Sequence, residues 1–323
     1  MSGEQSSQLL DALDAVENTQ KQYAEQLGLE QGRIPFSAET LPDSRVAVRV
    51  NQDLLQEVAS HMLNRAGHVS IIDERGAGKT HFRQLIYDAL ADGPRSDQFR
   101  VVRIKEVESI TTRQFYVRLL DRLREYDDLA DSGVFDYETQ GSRRYPHATD
   151  EVRAIVERVA DELETRDLAC IVQVDQLEDA TRNKRTFEQL LAALQSIGDL
   201  GEGTPVFVCF LFGTPRAAGQ MDELRETLSS RLVAKNRSLA RFGFSETMEL
   251  ASRWVAWARD EEYTDSYFPD PYTRSSIKAI VEMSDGTPRS VRQNAYHAFR
   301  AGAQQYAETG EVNITAETLD DYL

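Results

Sequence analysis

Lys79 and Thr80, preceded by glycines at 76 and 78, are the residues whose types and spacing point most directly to chemistry. They close the stretch Val69–Thr80, VSIIDERGAGKT, in which a short apolar run (Val69, Ile71, Ile72) gives way to a loop. Phe82, Leu85, Ile86, Ala89 and Leu90 then fall at helical spacing, so strand, loop and helix come in the order that a phosphate-binding loop requires. Such a loop turns successive backbone N–H groups and a helix N-terminus towards one point, where orphan donors and the positive end of the helix dipole meet phosphate charge. In that arrangement Gly76, Ala77, Gly78 and His81 belong to the cradle, Lys79 reaches the outer phosphates, and the Thr80 hydroxyl ligates Mg²⁺.

The full pattern is G-x-x-x-x-G-K-[ST], and Asp73 stands where its first glycine belongs. Asp tolerates a left-handed backbone better than most residues, so the loop can close. A carboxylate beside phosphate is nevertheless unfavourable unless it points away or pairs with a cation such as Arg75. Downstream, Asp175 ends the apolar run Leu168–Val174, the place for a carboxylate that holds Mg²⁺ through water beside Thr80.

Periodicity outlines the elements that must position these groups. Val50–Ala66 reads as a helix with Leu54, Leu55, Val58, Met62 and Leu63 on one face. Phe99–Ile104 alternates as a strand does, and Thr111 with Gln114 fits a capping box opening a helix through Leu123. Asp127–Asp150, polar and with little periodicity, reads as a long loop. Val152–Leu163 and Arg185–Ile197 read as helices, alternating with the nearly continuous apolar runs Leu168–Val174 and Val206–Phe212. Such runs suit strands covered on both faces, and the alternation implies a parallel sheet with ligand at the carboxyl ends of its strands.

From Ser245 onward three helical patterns follow, marked by Leu250, Trp254 and Trp257, by Ile277, Ile280 and Val281, and by Val291, Ala295, Phe299 and Gly302. Only Val312–Ile314 suggests an extended piece. At the other end, Leu9, Leu10, Leu13, Val16 and Tyr23 keep a loose helical period that fits a solvated helix, a frayed tail or a partner-binding helix. Gly32–Ser44, with two prolines, reads as a linker. The expected division is residues 1–44 as helix or tail and linker, 45–244 as nucleotide-binding core, and 245–323 as a helical domain.

Composition bounds the function. The 323 residues suit about two domains. Against 54 acidic residues stand 37 basic ones, and the resulting −17 argues against a chain-wide nucleic-acid surface. Only six of the basic residues are lysines, leaving 31 arginines, and a carboxylate-rich, lysine-poor chain suits a salt-rich, halophilic cytoplasm. Cys170 and Cys209 lie in apolar runs as buried thiols, and the histidines at 61, 68, 81, 147 and 297 show no metal-ligand spacing. The N-terminus carries no signal-peptide pattern and no apolar run approaches ~18 residues, so a soluble, cytoplasmic protein without membrane contact is expected.

The segments DERGAGKT (73–80) and CIVQVDQLED (170–179) resemble the Walker A and Walker B motifs of the AAA+ ATPases. Within them the resemblance is to the initiator-like branch of archaeal and eukaryotic origin-recognition and cell-division-control ATPases and to the related TniB-type transposition ATPases. It spans roughly Val46–Leu323. It implies an α/β fold, a P-loop NTPase parallel sheet covered by helices and followed by a small α-helical lid, with ATP and Mg²⁺ as cofactors. FGT (212–214) resembles sensor 1, in which Thr214 touches the γ-phosphate or the attacking water. LSSRL (228–232) is similar to the segment that places an arginine finger in a neighbouring subunit, which makes Arg231 the first candidate, with Arg237 and Arg241 behind it. SDGTPRSVRQ (284–293) resembles the sensor 2 turn, where Thr287 caps the helix, Pro288 takes its first position and Arg289 points at the nucleotide.

In most of these ATPases a glutamate that polarises water follows the Mg²⁺-associated Asp; here Gln176 stands there. An amide orients water but cannot accept its proton, so hydrolysis should be slow unless Glu178 or Asp179 substitutes. Gln176 and Asp73 together lean towards a nucleotide-gated switch or assembly subunit of a DNA-transaction or defence complex, associating with itself or a related ATPase subunit through the Arg231 face. The protein client is not identified by the sequence. Two other readings stay open: a non-hydrolysing scaffold, and a shortened replication initiator, since initiator relatives usually carry a winged helix after the lid and this chain ends at Leu323. At −17, DNA contact would need a local arginine patch or a partner protein.

Overall fold

The structure, a computed structural model, describes residues 2–31, 33–38, 44–48, 50–91, 93–136, 144–201 and 204–322. In chain order its helices are α1 (Ser2–Gln26), α2 (Gln52–Leu63), α3 (Lys79–Ala91), α4 (Thr112–Leu123), α5 (Asp127–Ala130), α6 (Thr149–Thr165) and α7 (Leu177–Ala180). There follow α8 (Lys184–Gly198), α9 (Pro215–Leu224), α10 (Glu226–Ser230), α11 (Phe244–Ala258), α12 (Arg274–Met283), α13 (Pro288–Thr309) and α14 (Ala316–Tyr322). The strands are β1 (His68–Ile72), β2 (Phe99–Ile104), β3 (Ala169–Val174), β4 (Phe207–Gly213) and β5 (Leu232–Arg237). Among the described residues no helix is long and apolar enough to cross a membrane.

Two compact units divide the chain, Asn51–Leu239 on one side and Met1–Val50 with Ala240–Leu323 on the other. The first holds a five-stranded sheet in the order β2-β3-β4-β1-β5, with every pairing parallel. Parallel strands need crossovers that cover both faces, and the near-continuous apolar runs of β3 and β4 answer to that. One face packs Ile71, Ile171, Phe210 and Phe212 against α2 and α3; the other packs Val102, Val172, Cys209 and Leu211 against α4, α6 and α8. As expected, Thr111 and Gln114 form a capping box at the start of α4.

Some expectations need correction. Residues 127–150 are not simply a loop: α5 forms within them, and Phe135 and Tyr145 are buried, because the segment supplies apolar cover over α4 and α6. Residues 137–143 of it, including Gly141, lie outside the described ones. The edge strand β5 is not apparent in the sequence because only Leu232 and Ala234 face inward; Lys235, Asn236 and Arg237 are exposed. Its register against β1 is irregular, and Ser70 Oγ replaces part of the ladder, accepting from the Asn236 N–H at 2.7 Å.

The second unit is helical, with an isolated parallel bridge between Tyr272 and Ile314 where Val312–Ile314 suggested an extended piece. Its N-terminal helix is no frayed tail at its C-terminal end. Tyr23 is fully buried, packs against Phe299 with ring centroids 5.2 Å apart, and donates its hydroxyl to the Val312 carbonyl at 2.6 Å. Nor is the stretch after it a bare linker: Phe36 is buried and stacks on Trp254 at 5.1 Å. Pro42 lies outside the described residues.

Candidate functional site

The carboxyl ends of β3, β4 and β1, side by side in the sheet, bring Asp175, Thr214 and Asp73 to one edge. Ile72 is in register with Gly213, and the Asp73 N–H donates to the Gly213 carbonyl at 3.0 Å, so Thr214 directly neighbours the start of the loop. Thr214 also occupies the N-cap position of α9, without a side-chain capping bond.

The loop itself is built for an anion. Gly76 (φ 89°) and Gly78 (φ 96°) take the left-handed region that favours glycine, and α3 opens at Lys79, so its unpaired amino-terminal N–H groups face the loop. Asp73 is buried, and its carboxylate is held by the chain: Oδ1 accepts from the Glu74 N–H at 2.7 Å and Oδ2 from the Leu239 N–H at 2.9 Å. Ala77 is buried beneath the loop, whereas Arg75 and Thr80 are exposed. Lys79 donates its ammonium to the carbonyls of Asp73 and Glu74. Burial lowers its pKa, while Glu178, then Asp73, Asp175 and Glu74, favour its charged form. His81 is pulled down by burial, against the field of Asp88, and its Nε2 is buried without a partner.

Behind the loop lies a pair of arginines that sequence reading missed. Arg83, one turn along α3 from Thr80, is buried, and its Nη1 lies 3.4 Å from Asp175 Oδ2. Asp175 Oδ1 accepts from the Gln176 N–H at 2.9 Å. The Arg83 carbonyl accepts from Gln173 Nε2 at 3.2 Å. On β2, in register with Gln173, Arg103 lays its guanidinium over the Tyr87 ring, 3.4 Å from the centroid. Asp175 thus meets the Gln176 N–H through one oxygen and Arg83 through the other, while the Thr80 side chain lies on the surface. Among the described residues, no group of three or more His, Cys, Asp or Glu could hold a metal ion.

Gln176 is exposed with a left-handed backbone (φ 56°). Asp179 pairs with Arg182 at 3.0 Å, while Glu178 has one carboxylate oxygen buried without a partner and is the leading carboxylate in the field at Lys79. Arg231 pairs with Asp199 and precedes β5, at the opposite end of the sheet from the loop. Arg237 pairs with Glu57 on α2. In the helical unit Thr287 caps α13 through the Ser290 N–H, Pro288 takes the first turn and Arg289 is exposed. Arg241 packs beside Gly286 in the same unit.

A parallel sheet with a glycine loop between its β1 strand and the following helix, plus a helical unit at the carboxyl end, is the AAA+ form of the P-loop NTPase fold. The chain is similar in fold to the ORC2 protein of Aeropyrum pernix in its ADP form, at TM-score 0.56 and 14% identity over 89% of this chain and 70% of that one. The same protein in its ADPNP–ADP complexes aligns at TM-score 0.56 and 13% identity, covering 91% and 73%. A Walker-type ATPase of Pyrococcus abyssi aligns at TM-score 0.52 and 14% identity, covering 88% and 75%. No protein-family profile and no curated protein sequence matches the chain.

Proposed function

We propose that this chain is a nucleotide-dependent switch or assembly subunit that binds ATP or ADP at residues 73–80 and hydrolyses ATP slowly. The observation that carries the reading is the state of Asp73. Its charge is spent on the amides of Glu74 and Leu239, so the residue that departs from the phosphate-loop pattern leaves the cradle to the backbone donors, Lys79 and the α3 N-terminus. In binding, Lys79 exchanges the Asp73 and Glu74 carbonyls for the outer phosphates, and Thr214 orients the attacking water. A neighbour of the same fold was solved with ADP, which supports this use of the loop.

Slow turnover follows from Gln176, which cannot accept a proton, and leaves Glu178 as the carboxylate near Lys79. Arg231, remote from its own loop, serves the nucleotide of a second copy or a related subunit as an arginine finger. Arg289, in the segment that resembles the sensor 2 turn, is the candidate for a further phosphate contact. Any contact with DNA in such a complex is indirect, through a partner, given the net charge of −17.

A non-hydrolysing scaffold is the second reading, and the Arg83–Asp175 pair favours it. Titration with ATP and ADP at high salt, with turnover and sizing by light scattering, separates the two. The switch predicts ATP binding that Lys79→Ala weakens at least about tenfold, turnover below about 1 s⁻¹, and ATP-dependent association. Binding without turnover or association favours the scaffold; no nucleotide binding by the wild type rejects the switch.

A further inference from the structure

We infer that Arg83, and not a divalent cation, is the charge partner of Asp175, so that this site binds nucleoside triphosphate almost independently of Mg²⁺. The inference rests on the nucleotide reading given above. Arg83 is only 7% exposed, and its Nη1 stands 3.4 Å from Asp175 Oδ2. The other oxygen, Oδ1, accepts from the Gln176 N–H at 2.9 Å. A cation at Asp175 Oδ2 would have to displace a buried guanidinium whose backbone is itself anchored: Gln173, fully buried two residues before Asp175, donates to the Arg83 carbonyl. A divalent ion beside that guanidinium would also face like charge in a site of low dielectric.

The second arginine strengthens the case. Arg103 lies near enough to Arg83 to lose affinity for its proton, burial being the larger cause. Arg83 pairs with Asp175, and Arg103 stands in the positive field of Arg83 and in the negative fields of Tyr87, Asp88 and Asp175. Arg83 Nε, Arg103 Nε and Arg103 Nη2 are buried without partners. Buried N–H donors without acceptors are costly and call for a partner that the chain itself does not supply here. Excess positive charge behind the phosphate loop is what Mg²⁺ supplies in other nucleotide sites; here the chain carries it.

The test is ATP affinity of the wild type in Mg²⁺ and in EDTA, read by calorimetric titration, with Arg83→Gln beside it. The wild type should change less than about threefold between the two conditions, whereas Arg83→Gln, which frees Asp175, should bind at least about tenfold more weakly in EDTA than in Mg²⁺. A wild-type loss of about tenfold or more in EDTA overturns the inference while leaving the nucleotide reading intact. Absence of ATP binding under both conditions overturns that reading and the inference with it. The wild-type comparison decides by itself should Arg83→Gln fail to fold, which circular dichroism reports.

Discussion

Leu239 donates its backbone N–H to Asp73 Oδ2 at 2.9 Å, which ties the first residue of the phosphate loop to the last residue of the sheet-bearing unit. Ser238 reinforces the join by donating its hydroxyl to the Ile72 carbonyl at 3.4 Å. A carboxylate that would repel phosphate inside the loop has become the acceptor that fixes the loop to the segment leaving β5.

Removing that acceptor should cost stability more than binding. Asp73→Ala strands a buried Leu239 N–H, which costs about 1–3 kcal/mol, and Asp73→Asn, which keeps one amide oxygen, should cost less. ATP affinity should stay within about threefold of wild type, since both carboxylate oxygens are held by backbone N–H groups. Urea unfolding alongside ATP titration checks this; a gain in affinity without loss of stability would mean that the carboxylate faces the ligand.

Residual turnover should depend on Glu178. Its buried, unpartnered oxygen and its leading field at Lys79 single it out among the carboxylates around that lysine as the candidate to take a proton from water. Glu178→Gln should lower the wild-type rate by about 10²-fold with ATP binding retained, and Gln176→Glu should raise it. Phosphate release under single-turnover conditions is the measurement. An unchanged rate in Glu178→Gln would remove Glu178 from the reaction.

Much of this site is legible in sequence for a physical reason. Doubly covered strands must be apolar throughout, so LACIVQV and VFVCFLF announce themselves, and Asp175 and Thr214 are then placed by the strand ends. Thr287 and Pro288 are equally local, since a cap and a first-turn proline depend only on neighbouring backbone. What escaped is what depends on distant partners. β5 hides because an edge strand needs only two inward residues, Leu232 and Ala234. Arg83 hides because on a half-buried helix an arginine reads as surface. One signal pointed to it: Gln173, a lone polar side chain in an otherwise apolar central strand, had to have a buried partner.

The same contrast applies to Tyr23, whose aromatic ring gave no hint of its partner in α13. A Cβ added to Gly302 would stand 2.6 Å from Ile314 Cγ1 and 2.8 Å from the Tyr23 hydroxyl, so this glycine makes room for α1. Gly302→Ala should destabilise the helical unit by about 1–2 kcal/mol, overpacking outweighing the better helix propensity of alanine. Tyr23→Phe, which removes a clash partner and the bond to Val312, should cost about 1 kcal/mol alone and less than that in the Gly302→Ala background. Thermal unfolding of the four proteins of this cycle measures the coupling; strict additivity would show that α1 does not rest on Gly302.

His68, at the amino end of β1, should make the sheet-bearing unit sensitive to mild acid. It is buried, and its Nδ1 accepts from the Cys209 N–H at 3.1 Å, a bond that only the imidazole with an unprotonated Nδ1 can make. Burial, aided by the positive field of Arg231, lowers its pKa from 6.5 to about 4. Between those values the unfolded chain binds the proton and the folded one does not, so stability rises with pH across this window and is lost as pH falls from 6.5 towards 4. The full effect is of order 3 kcal/mol by the usual conversion of pKa shift to free energy. Carboxylates titrate in the lower half of the same window, so the informative quantity is the difference between wild type and His68→Gln, whose side chain can still accept from Cys209 but cannot titrate. Urea unfolding from pH 4.5 to 7 should show a shallower slope for the variant, with the gap between the two proteins changing most above pH 5. Parallel slopes would mean that His68 is protonated in the folded state and that its ring is not held as an acceptor.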